Sequence, residues 1–98
     1  MTWGQTLRNK TTKSREELAR TEFAAAVILE ACRKRAAEGH SWCEIKPSRP
    51  ISVEKTKAVA DMMTELDGQQ LRFEWEPFRE RLDLPAYSVL RVSWEKTG

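Results

Sequence analysis

The side chains in this chain best suited to chemistry are one histidine and two cysteines, and all three fall between positions 32 and 43. Cys32, His40 and Cys43 carry the thiol and imidazole groups that bind transition metals. Structural zinc sites, however, draw their ligands from closely paired positions, and this trio contains no such pair. A disulfide between Cys32 and Cys43 requires the two elements carrying them to pack together. Two thiols do not make the framework of a disulfide-rich secreted domain, and both cysteines sit where apolar faces are expected, as small buried hydrophobes. The chain has no GxSxG, no phosphate-cradling glycine loop, no HExxH and no dinucleotide fingerprint. Its carboxylates are spread along polar faces, which reads as solvated surface rather than an acid–base pair. No catalytic residue, metal, cofactor or small-molecule substrate is expected.

Charge offers more. Residues 1–50 hold ten Lys/Arg against six Glu, and residues 51–98 hold seven against nine acids, so net charges of +4 and −2 divide the chain. The cations Arg8, Lys10, Lys13 and Arg15 precede the first acid, Glu16, and a second cluster, Arg33-Lys34-Arg35, follows further on. Both clusters suit phosphate neutralisation, and nucleic-acid binding by these seven residues is one expectation. Trp42 and Tyr87 are the aromatics available to stack on a base, but no RNP-like motif accompanies them. The second expectation is a protein partner. Four tryptophans in 98 residues exceed what a small core requires, and tryptophan is favoured as an interface anchor. Trp3, Leu7, Trp42 and Tyr87 are the candidate contact residues, for another protein or for a second copy of the chain.

These side chains need elements to position them. A chain of 98 residues makes one domain, with a core that needs no staples. The longest apolar run, Phe23 to Leu29, is far short of the roughly 20 residues that span a bilayer. No apolar leader opens the chain, so a cytoplasmic, non-secreted protein is expected. Residues 1–13 are polar and rich in Thr, which predicts an N-terminal arm. Ser14-Arg15-Glu16-Glu17 matches a capping box and predicts the start of a first helix. That helix has an apolar stripe of Leu18, Ala25, Ile28, Leu29, Cys32 and Ala36, and a stop at Gly39. A short strand over 40–46 follows, then a second helix capped by Ser52 with Val53, Thr56, Val59, Ala60, Met63 and Leu66 inward and a stop at Gly68. Alternation over 70–76 and 87–95 predicts two strands, with Leu71, Phe73, Trp75 and then Leu90, Val92, Trp94 facing in. The last two should pair antiparallel across Pro77–Pro85, and a right-handed crossover would make the first pair parallel. The expected fold is α+β, with two helices on one face of a three-stranded mixed sheet in the order α-β-α-β-β. The arm spans 1–13 and the single domain 14–98.

Three features lie in sequence order: Ala36-Ala37-Glu38-Gly39, the second helix with its Gly68 stop, and the closing Leu90-Arg91-Val92-Ser93-Trp94. This layout resembles small accessory or virion proteins of tailed phages and large DNA viruses. The likeness covers about two-thirds of the chain as a loose pattern, and departs from it in the Pro77–Pro85 loop and at Gln69-Gln70. It implies a viral source, in a host cytoplasm or a virion, and no shared activity. The function expected is a non-enzymatic interaction or structural protein whose arm contacts a partner, with a nucleic-acid-binding module as the alternative.

Overall fold

The computed structural model describes residues 2–79, 81–83 and 85–94. The end of the last expected strand, at Glu95, and two positions of the loop before it, Glu80 and Leu84, lie outside the described residues. Three helices and three strands follow one another as α1 (Trp3–Glu22), α2 (Ala25–Ala37), β1 (Trp42–Ile45), α3 (Lys57–Glu65), β2 (Arg72–Phe78) and β3 (Tyr87–Ser93). The fold is α+β, as expected, with three helices rather than two.

The segment expected as an arm with at most a short helical turn is helical from Trp3. Its start signal is Thr2, whose hydroxyl accepts the Gln5 N–H at 3.2 Å, an N-cap that satisfies an otherwise orphan donor. The threonines that suggested an arm are accommodated within the helix. The hydroxyls of Thr6, Thr11 and Thr21 donate to the carbonyls of Thr2, Leu7 and Glu17, each four residues back. The capping-box match at Ser14 therefore lies in mid-helix.

The expected single helix over residues 14–38 is interrupted at Phe23–Ala24. The Phe23 N–H closes α1 on the Ala19 carbonyl at 2.8 Å, and Ala24 is extended (φ −66°, ψ 150°) before α2 begins. Neither Gly nor Pro marks this break. Its cause is tertiary: Phe23 is fully buried with its ring 5.9 Å from that of Trp75 on β2. α2 stops as expected at Gly39, where φ is +91° and the Gly39 and His40 amides donate to the Ala36 and Arg35 carbonyls. α3 begins at Lys57 behind Thr56, four residues later than the expected Ser52 cap. The Thr56 hydroxyl accepts the Val59 N–H and donates to the Val53 carbonyl.

The sheet order is β1-β3-β2, antiparallel throughout. This corrects the mixed sheet. β1 and β2 are not neighbours, so no parallel crossover exists between them, and β3 takes the place between. The registers Cys43↔Val92 and Ile45↔Leu90 on one side, and Phe73↔Val92 and Trp75↔Leu90 on the other, put these apolar residues on a single sheet face. That face joins Leu18, Ala19, Phe23 and Ile28 of the first helices and Val59 and Met62 of α3 in one core. Phe73 and Trp75 are only partly covered because β2 is an edge strand. Among the described residues, no helix is long and apolar enough to cross a membrane.

Candidate interaction surface

The surface is built on α1, about 30 Å long at 1.5 Å per residue. Steps of four put Trp3, Leu7 and Thr11 on one face, and the following turns bring Ser14 and Leu18 onto it. The lower end of this stripe is anchored, because Leu18 is buried. The upper end is not: residues 2–13 are all exposed, with Trp3 82% and Leu7 57% accessible. Isolated exposed apolar residues are ordinary. Here two large ones continue the line of a core-facing stripe beyond the core.

Two carboxylates hold α1 in place. Glu16 accepts the backbone N–H groups of Lys57 (2.6 Å) and Ala58 (3.1 Å) at the start of α3, and Glu22 accepts from the Ser48 N–H and hydroxyl at 2.7 and 2.5 Å. The helix is thus fixed to two distant segments through its second half, while its first half projects. Beside Leu7 runs an open groove of about 400 Å³. One wall is α1, with Leu7, Lys10, Ser14 and Arg15. The other is made by Pro50, Ile51 and Ser52 with Pro85 and Ala86.

Four of the five cations of α1 divide around this stripe. Arg8 and Arg15, seven residues apart, follow one flank, and Lys10 and Lys13 the other. None of the four is in an ion pair among the described residues. The second basic cluster is more committed. Arg33 makes a two-point contact with Glu30 (2.7 and 3.0 Å) that holds the Glu30 carboxyl below its usual range. Arg35 lies 3.9 Å from Glu38 and 5.0 Å above the Trp42 ring. Lys34 is exposed.

The remaining candidates sit elsewhere. Trp42 is half-buried, with the guanidinium groups of Arg35 and Arg91 5.0 and 4.6 Å from its ring centroid and His40 edge-on at 6.4 Å. Two guanidinium groups therefore already stack on its ring. Tyr87 is 4% exposed and packs edge-on against Phe78, so it offers little contact surface. The structure therefore brings together Trp3, Leu7, Arg8, Lys10, Lys13 and Arg15, and separates them from Trp42, Tyr87 and Arg33–Arg35. The groove's far wall was not singled out in the sequence, since 50–52 and 85–86 adjoin α1 only through the fold. Thr2 with Gln5 three residues on was the signal in the sequence for the helix itself.

Cys32 and Cys43 are free thiols, buried in the core. No group of three metal-binding side chains occurs among the described residues. Burial pushes the Cys32 thiol up to about 11, with Cys43 beside it adding to the shift, and burial raises Cys43 as well. The thiolate fraction at neutral pH is negligible. A thiol-specific chromogenic reagent is therefore expected to titrate both cysteines only after unfolding; rapid labelling of the folded protein would contradict this. The folded state holds the Cys32 proton more tightly than the unfolded state, so stability should fall as the pH rises from about 9 towards 11.

Comparison with protein-family models, with curated proteins and with solved structures finds no match.

Proposed function

We propose that this chain is a non-enzymatic interaction or structural protein that presents its first thirteen residues, the projecting half of α1, to a protein partner or a second copy of itself. The observation that carries this reading is the exposure of Trp3 and Leu7 on the same helical face that buries Leu18. An apolar stripe that outruns its own core suits a surface completed by another chain. In this reading the α+β body serves as the mount. Its helices form one layer over the apolar sheet face, and residues 14–94 fold without the projecting half. A phage or virus source, implied by the resemblance above, belongs to the same proposal.

Deleting residues 1–13 tests it. The shortened helix then starts at Ser14, where Ser14-Arg15-Glu16-Glu17 is positioned to act as a capping box, and Glu16 and Glu22 remain in place. The expected result is an unchanged far-UV spectrum and unfolding midpoint. In an extract of the source cells, the full chain should elute well above its own 11.4 kDa and the truncated chain at monomer size. A truncated chain that assembles as well as the full one overturns the proposal.

The nucleic-acid alternative draws on Arg8, Lys10, Lys13 and Arg15 of α1, in no ion pair among the described residues, together with Arg33, Lys34 and Arg35. It is weakened by the engagement of Arg33 and Arg35 with Glu30, Glu38 and Trp42. It would displace the first reading if oligonucleotides bound with a steep salt dependence that Lys10→Glu and Lys13→Glu abolished.

A further inference from the structure

The groove beside α1 carries charge of one sign. Among the described residues lining it, the ionisable ones are Lys10 and Arg15, both cations, and Arg8 follows the same flank as Arg15. The nearest acid on α1, Glu16, is turned to the amides of α3. Leu7 shares the α1 wall with these cations and Ile51 and Ala86 face it from the opposite wall, with Trp3 one turn beyond Leu7 along the helix. From this geometry we infer that the groove receives an acidic amphipathic helix of a partner protein, its apolar side chains between the walls and its carboxylates against Lys10, Arg15 and Arg8. The inference rests on the reading of α1 as an interaction segment and gives that segment a partner of stated chemistry.

Three observations favour this occupant. A groove with cations beside Leu7 on one wall and uncharged, largely apolar residues on the other is complementary to a helix with an apolar stripe and an acidic flank, and such complementarity steers encounter and excludes partners of the wrong sign. The wall opposite α1 contains Pro50 and Pro85, and proline has no backbone N–H to offer. A strand adding itself there would lack donors for its ladder, whereas a helix satisfies its own backbone and asks only for side-chain contact. The volume, about 400 Å³, lies within the roughly 300–1,000 Å³ of side-chain and ligand-sized clefts. An anionic membrane would meet only Trp3 and Leu7 as large apolar residues on the projecting half of the helix, a thin footing for insertion. A phosphate backbone would leave the apolar residues of the groove uncovered.

The probe is a fluorescent synthetic peptide with leucines at helical spacing on one face and glutamates on the other, titrated with the full-length protein at physiological salt. The comparison ligands are the same peptide with lysines for glutamates, phosphatidylserine vesicles and a single-stranded oligonucleotide. Saturable binding of the acidic peptide is expected, weakened about tenfold or more by Trp3→Ala and at least as much by Lys10→Glu with Arg15→Glu. All three positions are on the surface, so the far-UV spectrum should not change. Absence of binding, equal binding by the charge-reversed variant, or preference for the lysine peptide, vesicles or oligonucleotide overturns the inference. If the acidic peptide fails while deletion of residues 1–13 still disperses the native assembly, the interaction reading stands and the acidic helix does not. If both fail, both are wrong.

Discussion

Replacing Phe23 with alanine should lower the thermal unfolding midpoint by more than about 12 °C, the largest effect expected of any single truncation in this chain. Phe23 is fully buried and its ring lies 5.9 Å from Trp75 at a 30° tilt. It also stands where the chain leaves α1 and turns into α2. Its side chain thus fastens two helices and the edge strand β2 at one point. Truncations of this kind cost about 3–5 kcal/mol, a large part of the 5–15 kcal/mol that holds a small domain together. For a chain near 100 residues each kcal/mol moves the midpoint by roughly 4–8 °C. Leu29→Ala is the matched control: Leu29 is 45% exposed on α2 and its loss should stay within about 0.5 kcal/mol. Similar midpoints for the two variants would mean that Phe23 is not the joint described above.

Glu16→Ala should destabilise by about 1–3 kcal/mol, an unusual cost for a half-buried carboxylate outside the core. The first three helical amides of α3 are all satisfied by side chains. Glu16 takes those of Lys57 and Ala58, and the Thr56 hydroxyl takes that of Val59. The negative carboxylate also sits at the positive end of the α3 dipole. Removing it leaves two orphan donors and cuts the tie between α1 and α3. Hydrogen exchange should therefore quicken in residues 57–62 more than in β3, and the double variant with Thr56→Val should lose less than the two single losses added together, because both act on one helix end. Additive losses with uniform exchange would show that Glu16 does not cap α3.

Strong periodicity was legible and tertiary decisions were not. Leu18, Ala25, Ile28 and Cys32 are buried where the helical stripe put them, and Gly39 and Gly68 end their helices at positive φ. Alternation placed Cys43, Ile45, Leu90 and Val92 on the buried sheet face, and the β2–β3 pairing is antiparallel as expected. Leu29 and Ala36 are exposed although they share α2 with Ala25, Ile28 and Cys32, because the buried face of that helix is narrower than the stripe. Met62 rather than Met63 is buried because it lies between Val59 and Leu66 on the helical face that packs into the core. The N-terminal helix is not evident in the sequence because the segment is polar, rich in Thr and without a long periodic pattern, which reads as an arm with at most a short helical turn, while here the hydroxyls bond back along the helix. Of the candidate contacts, Trp3 and Leu7 lie on the projecting helix, whereas Tyr87 owes its burial to Phe78 on the neighbouring strand. Sequence spacing carries no information about such a partner.

The order β1-β3-β2 also has a consequence for synthesis. A nascent chain that has released β1 and β2 holds two strands that do not pair with each other, and it waits for Tyr87–Ser93 to clear the ribosome before either finds its neighbour. At ordinary translation rates the interval from Ile45 to Ser93 is on the order of seconds. During it, α1 and α2 can form from local contacts while the strand edges stay open to other nascent chains. The sheet then closes in one late step, by insertion of its central strand. A ribosome that stalls before Tyr87 leaves helices without a sheet, a species suited to chaperone capture.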